Sequence, residues 1–254
     1  MMIELIRNCG HGSEHATYLA TDESGGRKII KTATIPSGIK NLHNEVEGWC
    51  WYQRMRYAAT QKPICRIIEE RNRYFKMEIA FIDGYTLSYY KGLERNADAI
   101  RTIVRHYCDV WSRSSDPAPM HGDLSLGNII MNSEGVHIID WEHYVAGSVP
   151  WGFDVIYLLC ETLYFGMRFR SKPTIGEIKI IREQLNAINT HHKLQADMIR
   201  NPLGFLREFM VQNDHLWGEQ SMKFPILAFT PDQIAMIDKM IRSGAGAVET
   251  TSAY

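Results

Sequence analysis

The residues best suited to chemistry lie between His121 and Asp154. His121-Gly122-Asp123 comes first, Asn128 follows Asp123 by five positions, and Asp140-Trp141-Glu142 and Asp154 close the series. A carboxylate such as Asp123 can stand beside a hydroxyl and take its proton. An amide oxygen at Asn128 and a second carboxylate at Asp140 are hard oxygen ligands of the kind Mg²⁺ accepts. These groups serve one reaction only if a frame brings them together. Asn128-Ile129-Ile130-Met131 predicts a strand, Asn132-Ser133-Glu134-Gly135 a turn, and Val136 to Ile139 the returning strand. That hairpin is expected to deliver Asp140 back beside Asn128.

The segment resembles the aminoglycoside phosphotransferase and choline kinase group, small-molecule relatives of the protein kinases. Their pattern is H-G-D-x-x-x-x-N followed by Ile-Asp-Trp/Phe-Glu, and His121, Gly122, Asp123, Asn128, Ile139, Asp140, Trp141 and Glu142 all match it. The likeness is densest over residues 119–160 and has no counterpart in the C-terminal third. It implies an α+β, two-lobed protein-kinase-like fold, with a small antiparallel sheet and one helix in the N-lobe and a larger, mostly helical C-lobe. The lobes are expected at 1–83 and 84–244, with 245–254 a small, polar, loose tail. The resemblance also implies use of ATP and Mg²⁺. It makes Asp123 the base that deprotonates the acceptor and gives Asn128 and Asp140 to the metal. It packs His121 inward and lets Asp154 hydrogen-bond the catalytic-loop backbone, while Glu142 stays open between a second metal, the acceptor and water.

The elements upstream must then supply the nucleotide site. Residues 2–6 and 16–20 predict two strands with Gly10-His11-Gly12-Ser13 between them. In the kinase pattern Gly10, Gly12 and Ser13 would approach the ATP phosphates, although the chain lacks the fuller G-x-G-x-x-G form. The strand Arg27 to Ala33 offers two lysines. Residues three apart on a strand point to opposite faces, so only one of them enters the site. Lys31 lies within the apolar run and Lys28 at its edge, which selects Lys31. A helix over Ile39 to Tyr57 carries Leu42, Val46, Trp49 and Cys50 on its apolar face. Glu45 flanks that stripe and Glu47 points away from it, so Glu45 is the expected partner of Lys31. Strands at Ile64 to Ile68 and Tyr74 to Phe81 complete a five-stranded antiparallel sheet. Ile79 to Gly84 resembles the hinge, where backbone groups of Ala80 and Ile82 would meet the adenine edge.

Asn96 to Ser114 predicts a helix with Ile100, Ile103, Val104, Tyr107 and Trp111 on one side. Farther on, Thr174 to Glu177 and Thr230 to Gln233 read as capping boxes, and Leu203 to Leu216 as an amphipathic run. With 45% apolar and 22% charged residues the composition is that of a globular protein, and a net charge of −1 speaks against a nucleic-acid partner. Cys9, Cys50, Cys65, Cys108 and Cys160 are odd in number and scattered, as reduced core thiols are. No leader is read at the N-terminus. The most apolar stretch, Val155 to Phe169, is broken by Glu161 and Arg168, so no integral membrane segment is expected and the location is read as cytoplasmic. His191-His192 is read as two exposed side chains, not a metal pair.

The function expected is phosphoryl transfer from Mg·ATP to a hydroxyl of a small molecule, such as a sugar, amino alcohol or aminoglycoside. The short interval from Asp140 to Asp154 holds no Ala-Pro-Glu and leaves little room to seat a peptide. For the acceptor, Trp141, Trp151, Tyr144, Tyr164, Trp217, Glu161 and Asp214 would suit a cation, and Arg168 and Arg170 an acidic or phosphorylated sugar, one from a surface glycan included. A nucleotide-binding pseudokinase that serves as an interaction module is the reading from another class. Its mark would be loss of Asp123, Asn128 or Asp140, and all three are present.

Overall fold

The computed structural model of the protein describes residues 2–7, 14–56, 64–114, 116–217 and 224–243. They fall into two compact units. The first takes residues 1–85, 119–123 and 130–148, and the second takes 86–118, 124–129 and 149–254. Gly10, Gly12 and Ser13 lie outside the described residues, as do Cys9, Gly244 and the C-terminal tail.

The first unit is built on strands β1 (Met2–Arg7), β2 (Ala16–Thr21), β3 (Arg27–Ala33), β4 (Cys65–Arg71) and β5 (Tyr74–Ala80), with helix α1 (Pro36–Arg56) between the third and fourth. They form the expected five-stranded antiparallel sheet in the order β1-β2-β3-β5-β4. Register decides what shares a face. Lys31 lies opposite Thr17 on β2 and Met77 on β5, and Ile29 opposite Ile79. Thr17, Ile29, Lys31 and Ile79 therefore project to one side. Lys28 projects to the other, where it pairs with Glu78 at 2.7 Å. Next come β6 (Tyr85–Thr86), β7 (Ala118–Met120), the hairpin strands β8 (Ile129–Asn132) and β9 (Gly135–Ile138), and β10 (Val145–Val149).

Helix α1 starts three residues before the expected Ile39, because Pro36 can occupy a first turn whose N–H groups lack intrahelical partners. Its buried side also differs from the expected stripe. Cys50 is exposed, whereas Gly38, Leu42, Glu45, Gly48, Trp49, Trp51 and Tyr52 are buried. The cause is a second packing surface. The sheet covers one side of the helix, and the loop carrying Trp141 covers the next. A Cβ on Gly48 would come within 2.6 Å of the Trp141 Cβ, so the glycine sets how closely the helix approaches that loop.

The second unit is helical: α2 (Gly92–Arg95), α3 (Ala97–Trp111), α4 (Phe153–Gly166), α5 (Ile175–His191), α6 (Ala196–Arg200), α7 (Pro202–Gln212) and α8 (Pro231–Ser243). Every residue from Phe153 to Leu163 of α4 is buried, so that helix forms the centre of this unit. The apolar face expected on α3 is buried throughout. Thr174 and Glu177 form the reciprocal capping box, and Thr230 and Gln233 form the second, with bonds of 2.9 and 3.2 Å. The run expected to reach Leu216 ends as α-helix at Gln212 and continues as a tight turn over Asp214–Leu216. Asp238 of α8 caps the start of α7, accepting from the Leu203 and Gly204 N–H groups at 3.1 and 3.0 Å. No described helix is long and apolar enough to cross a membrane.

Gly48→Ala is expected to force α1 and Trp141 apart and lower stability by about 1–3 kcal/mol, the usual cost of overpacking. Urea unfolding of the variant checks this, and the neighbouring exposed Glu47→Ala should leave the midpoint nearly unmoved.

Candidate active site

The centre of the first unit is an ion triad. Lys31 Nζ lies 2.7 Å from Glu45 Oε2 and 2.6 Å from Asp140 Oδ1. Lys31 and Glu45 are buried, and Asp140 keeps 24% of its side chain exposed. Burial alone would strip the lysine of its proton, but the charges of Asp140, then Glu45, more than offset it and hold the pKa above the ordinary lysine value. For Asp140 burial works upward, and the Lys31 ammonium overrides it, leaving the carboxyl well below the carboxylate range. For Glu45, desolvation wins and the pKa rises. Two carboxylates against one ammonium leave the site short of a positive charge. The expected choices of Lys31 over Lys28 and Glu45 over Glu47 agree with this geometry.

Asp140 is the one non-glycine residue of the described chain with positive φ, at 64°. Such a backbone persists only where its surroundings enforce it. Trp141 is fully buried, donates its indole N–H to the Ile138 carbonyl at 3.1 Å, and packs on Tyr52 at 5.2 Å and Trp51 at 5.8 Å between ring centres. Tyr52 Oη in turn accepts from the Ile138 N–H at 3.2 Å. Helix α1 thus grips the end of β9 just before Asp140, and the same helix carries Glu45.

His121 ties in the base candidate. Its Nε2 lies 2.9 Å from the Ile139 carbonyl and its Nδ1 accepts from the Asp123 N–H at 3.3 Å. Those partners require the neutral Nε2–H tautomer. Burial agrees, lowering the imidazole pKa to about 4. One buried ring therefore connects the backbone of Asp123 to the residue preceding Asp140. Gly122, at φ +87°, passes so close to His143 that a Cβ would lie 2.5 Å from the His143 Cβ. Asp123 itself is half-buried.

Lys31, Glu45 and Asp140 also line a cavity of about 260 Å³. Its remaining wall is largely apolar, with Ile29, Ile79, Ile82, Ile130 and Ile139 among its residues, and Ala80 and Phe81 at the edge where the chain leaves β5. Ala80 already donates its N–H to the Ile64 carbonyl at 2.7 Å, so only its carbonyl side is suited to a ligand. Asp140 is partly exposed at this cavity and gives one oxygen to Lys31, and its carboxylate is of the hard oxygen type that a divalent cation such as Mg²⁺ accepts. Asn128 belongs to the second unit, half-buried in the tight turn Leu126–Asn128.

Three features went unforeseen. His15, at the start of β2, lines the cavity and lies 3.3 Å from Glu142, which holds that carboxylate against the N-terminal hairpin. Gly48 and Tyr52 set the helix on the Asp140 loop through packing that strip patterns do not encode. In the second unit, Arg170 is engaged by both oxygens of Glu177, at 2.8 and 3.1 Å, and is not free for an acidic sugar. Trp141, Trp151, Tyr144, Trp217 and Glu161, considered for a cationic acceptor, are buried. His192, expected to be exposed, stacks on Trp151 with ring centres 4.4 Å apart, and no metal-holding cluster occurs among the described residues.

A first unit of five-stranded antiparallel sheet, one helix, histidine–aspartate loop and hairpin, together with a helical second unit, is a protein-kinase-like fold. Residues 78–175 match the family described as "Phosphotransferase enzyme family", APH. Among solved structures, the chain is similar to "Amicoumacin kinase hAmiN in complex with AMP-PNP, Ca2+ and Ami". The TM-score is 0.58 and the identity 13%, over 94% of this chain and 88% of that one. No curated protein matches the sequence. The family model is of phosphotransferases and the solved structure is of a kinase, in keeping with the resemblance carried by the motif.

The neutral His121 has a consequence for stability. Its folded pKa of about 4 lies below the ordinary value of 6.5, so the unfolded chain binds the proton more readily. Stability from this group is complete above pH 6.5 and is lost as the pH falls towards 4, by up to roughly 3 kcal/mol. In His121→Asn, unfolding free energy measured between pH 7 and pH 4 should fall less steeply than in the parent. An unchanged slope would show that His121 is not held neutral.

Proposed function

We propose that the protein transfers the γ-phosphoryl group of ATP, with Mg²⁺, to a hydroxyl of a small molecule. The observation that carries this reading is the buried Lys31, fixed between Glu45 and Asp140 at the wall of an apolar cavity. An ammonium held so rigidly is suited to phosphate oxygens, and the isoleucine walls to a flat aromatic base. In this reading Lys31 orients the phosphates and Glu45 keeps Lys31 in place. The Ala80 carbonyl and the backbone at Ile82 face the adenine edge. Asn128 and Asp140 would hold the metal, which when bound neutralises charge on the transferred group. Gly10, Gly12 and Ser13 are assigned to the phosphates from the sequence pattern alone.

Asp123 takes the proton of the acceptor hydroxyl as the oxygen attacks phosphorus. Its backbone is steadied by His121, which stays neutral and therefore neither competes for that proton nor repels the metal. The acceptor class is drawn from the family: a sugar, amino alcohol or aminoglycoside-type hydroxyl. Retention of Asp123, Asn128 and Asp140 together favours catalysis over a pseudokinase.

Asp123→Asn keeps the shape of the side chain but cannot accept a proton at neutral pH. With an acceptor identified from a panel of sugars, amino alcohols and aminoglycosides, kcat should drop by roughly 10²–10⁴-fold while ATP affinity holds. Wild-type kcat in the variant would remove Asp123 from the role of base. Nucleotide binding without transfer to any acceptor would favour the interaction module.

A further inference from the structure

Within the second unit a cleft of about 310 Å³ opens between α5, α6 and α8, lined by Arg182, Leu185, Asn186, Ile199, Arg200, Ile241 and Arg242. Its floor is apolar, with Leu185 and Ile241 buried. Its charged lining is three arginines from three different helices and no carboxylate. Elsewhere in this unit Arg101 pairs with Asp98 and Glu183 and Arg170 with Glu177, while Arg207 donates to the Phe229 carbonyl. Among the described residues Arg182 and Arg200 make no such pair. Arg242 is oriented by a neutral partner instead, donating to the Asn201 side chain and, at 3.4 Å, to the Arg200 carbonyl.

Asp197 stands one turn before Arg200 on α6 but does not line the cleft, and the other nearby carboxylates are committed elsewhere. Glu183 pairs with Arg101 and Lys179, and Asp238 accepts the N–H groups of Leu203 and Gly204, feeling the Arg242 charge only as its smallest influence. Like charges lining one cleft repel, and the repulsion is relieved when a multiply charged anion enters between them. Guanidinium forks match phosphate oxygens two at a time, and the apolar floor suits a short hydrocarbon body.

We propose that this cleft binds the phosphate group of a small organic phosphate whose uncharged part is apolar. The site lies in a different unit from the Lys31 cavity and does not depend on the reading of that cavity. Its ligand is not the nucleotide assigned to that cavity.

The test is calorimetric titration of the intact protein at low ionic strength, without Mg²⁺, using inorganic phosphate and butyl phosphate as probes. Both should bind, butyl phosphate at least roughly tenfold tighter because its chain reaches the apolar floor. Arg200→Gln/Arg242→Gln should abolish binding, Arg182→Lys should weaken it roughly tenfold, and Lys31→Met should leave it intact. Thermal melts of each variant identify any that fail to fold, and the exposed Arg200→Gln alone, expected to weaken binding at least roughly tenfold, then decides. Binding lost in Lys31→Met but kept in the arginine variants would overturn the proposal. So would equal affinity for the two probes, or the absence of binding to wild type.

Discussion

The structure of the first unit turns on a buried lysine that must keep its charge. An ammonium removed from water is costly unless carboxylates replace the solvent, and here two do so from distant segments of the sequence, Glu45 from α1 and Asp140 after β9. The pairing is demanding in both directions. Without Lys31, two desolvated carboxylates would face each other; without either carboxylate, the balance that keeps Lys31 charged would shift. Such buried pairs contribute little net stability, while breaking one commonly costs roughly 3–5 kcal/mol. The triad is therefore better understood as a device for fixing positions than as a source of folding energy.

The packing around it serves the same end. Gly48 lets α1 approach Trp141, Tyr52 bonds to the backbone of β9, and Trp141 fills the space beneath the loop. Each contact constrains the distance between the helix that carries Glu45 and the loop that carries Asp140. His121 extends the constraint to Asp123 through hydrogen bonds at both ring nitrogens, and burial keeps that ring neutral. A positive φ at Asp140 is tolerated because these contacts over-determine it.

Much of this was legible in the sequence because it depends on short periods. Strand alternation separated Lys31 from Lys28, and helical spacing separated Glu45 from Glu47. The second unit's helices were marked by Thr-x-x-Glu and Thr-x-x-Gln boxes whose bonds form as written. What escaped depends on contacts between distant segments. The exposure of Cys50 and burial of Gly48 follow from a second surface laid on α1 by residues some ninety positions away, about which the helix's own periodicity is silent. His15 carries no local signal either, since its partner Glu142 lies across the fold. The aromatic and acidic residues considered for an acceptor, Trp141, Trp151 and Glu161 among them, are inside, because large rings and helix-centre positions serve packing first.

In the proposed reading, the carboxylate held by Lys31 also receives the metal that accompanies the nucleotide. Calorimetric titration of AMP-PNP into wild type and Asp140→Asn, each with and without Mg²⁺, tests it most directly. Asparagine preserves the shape and can still accept a hydrogen bond from Lys31, so the fold should survive while the charge is lost. Mg²⁺ should strengthen binding to wild type, and the variant should bind Mg·AMP-PNP at least about tenfold more weakly, the scale of one lost charged contact. Equal Mg·AMP-PNP affinity in the two proteins would contradict it.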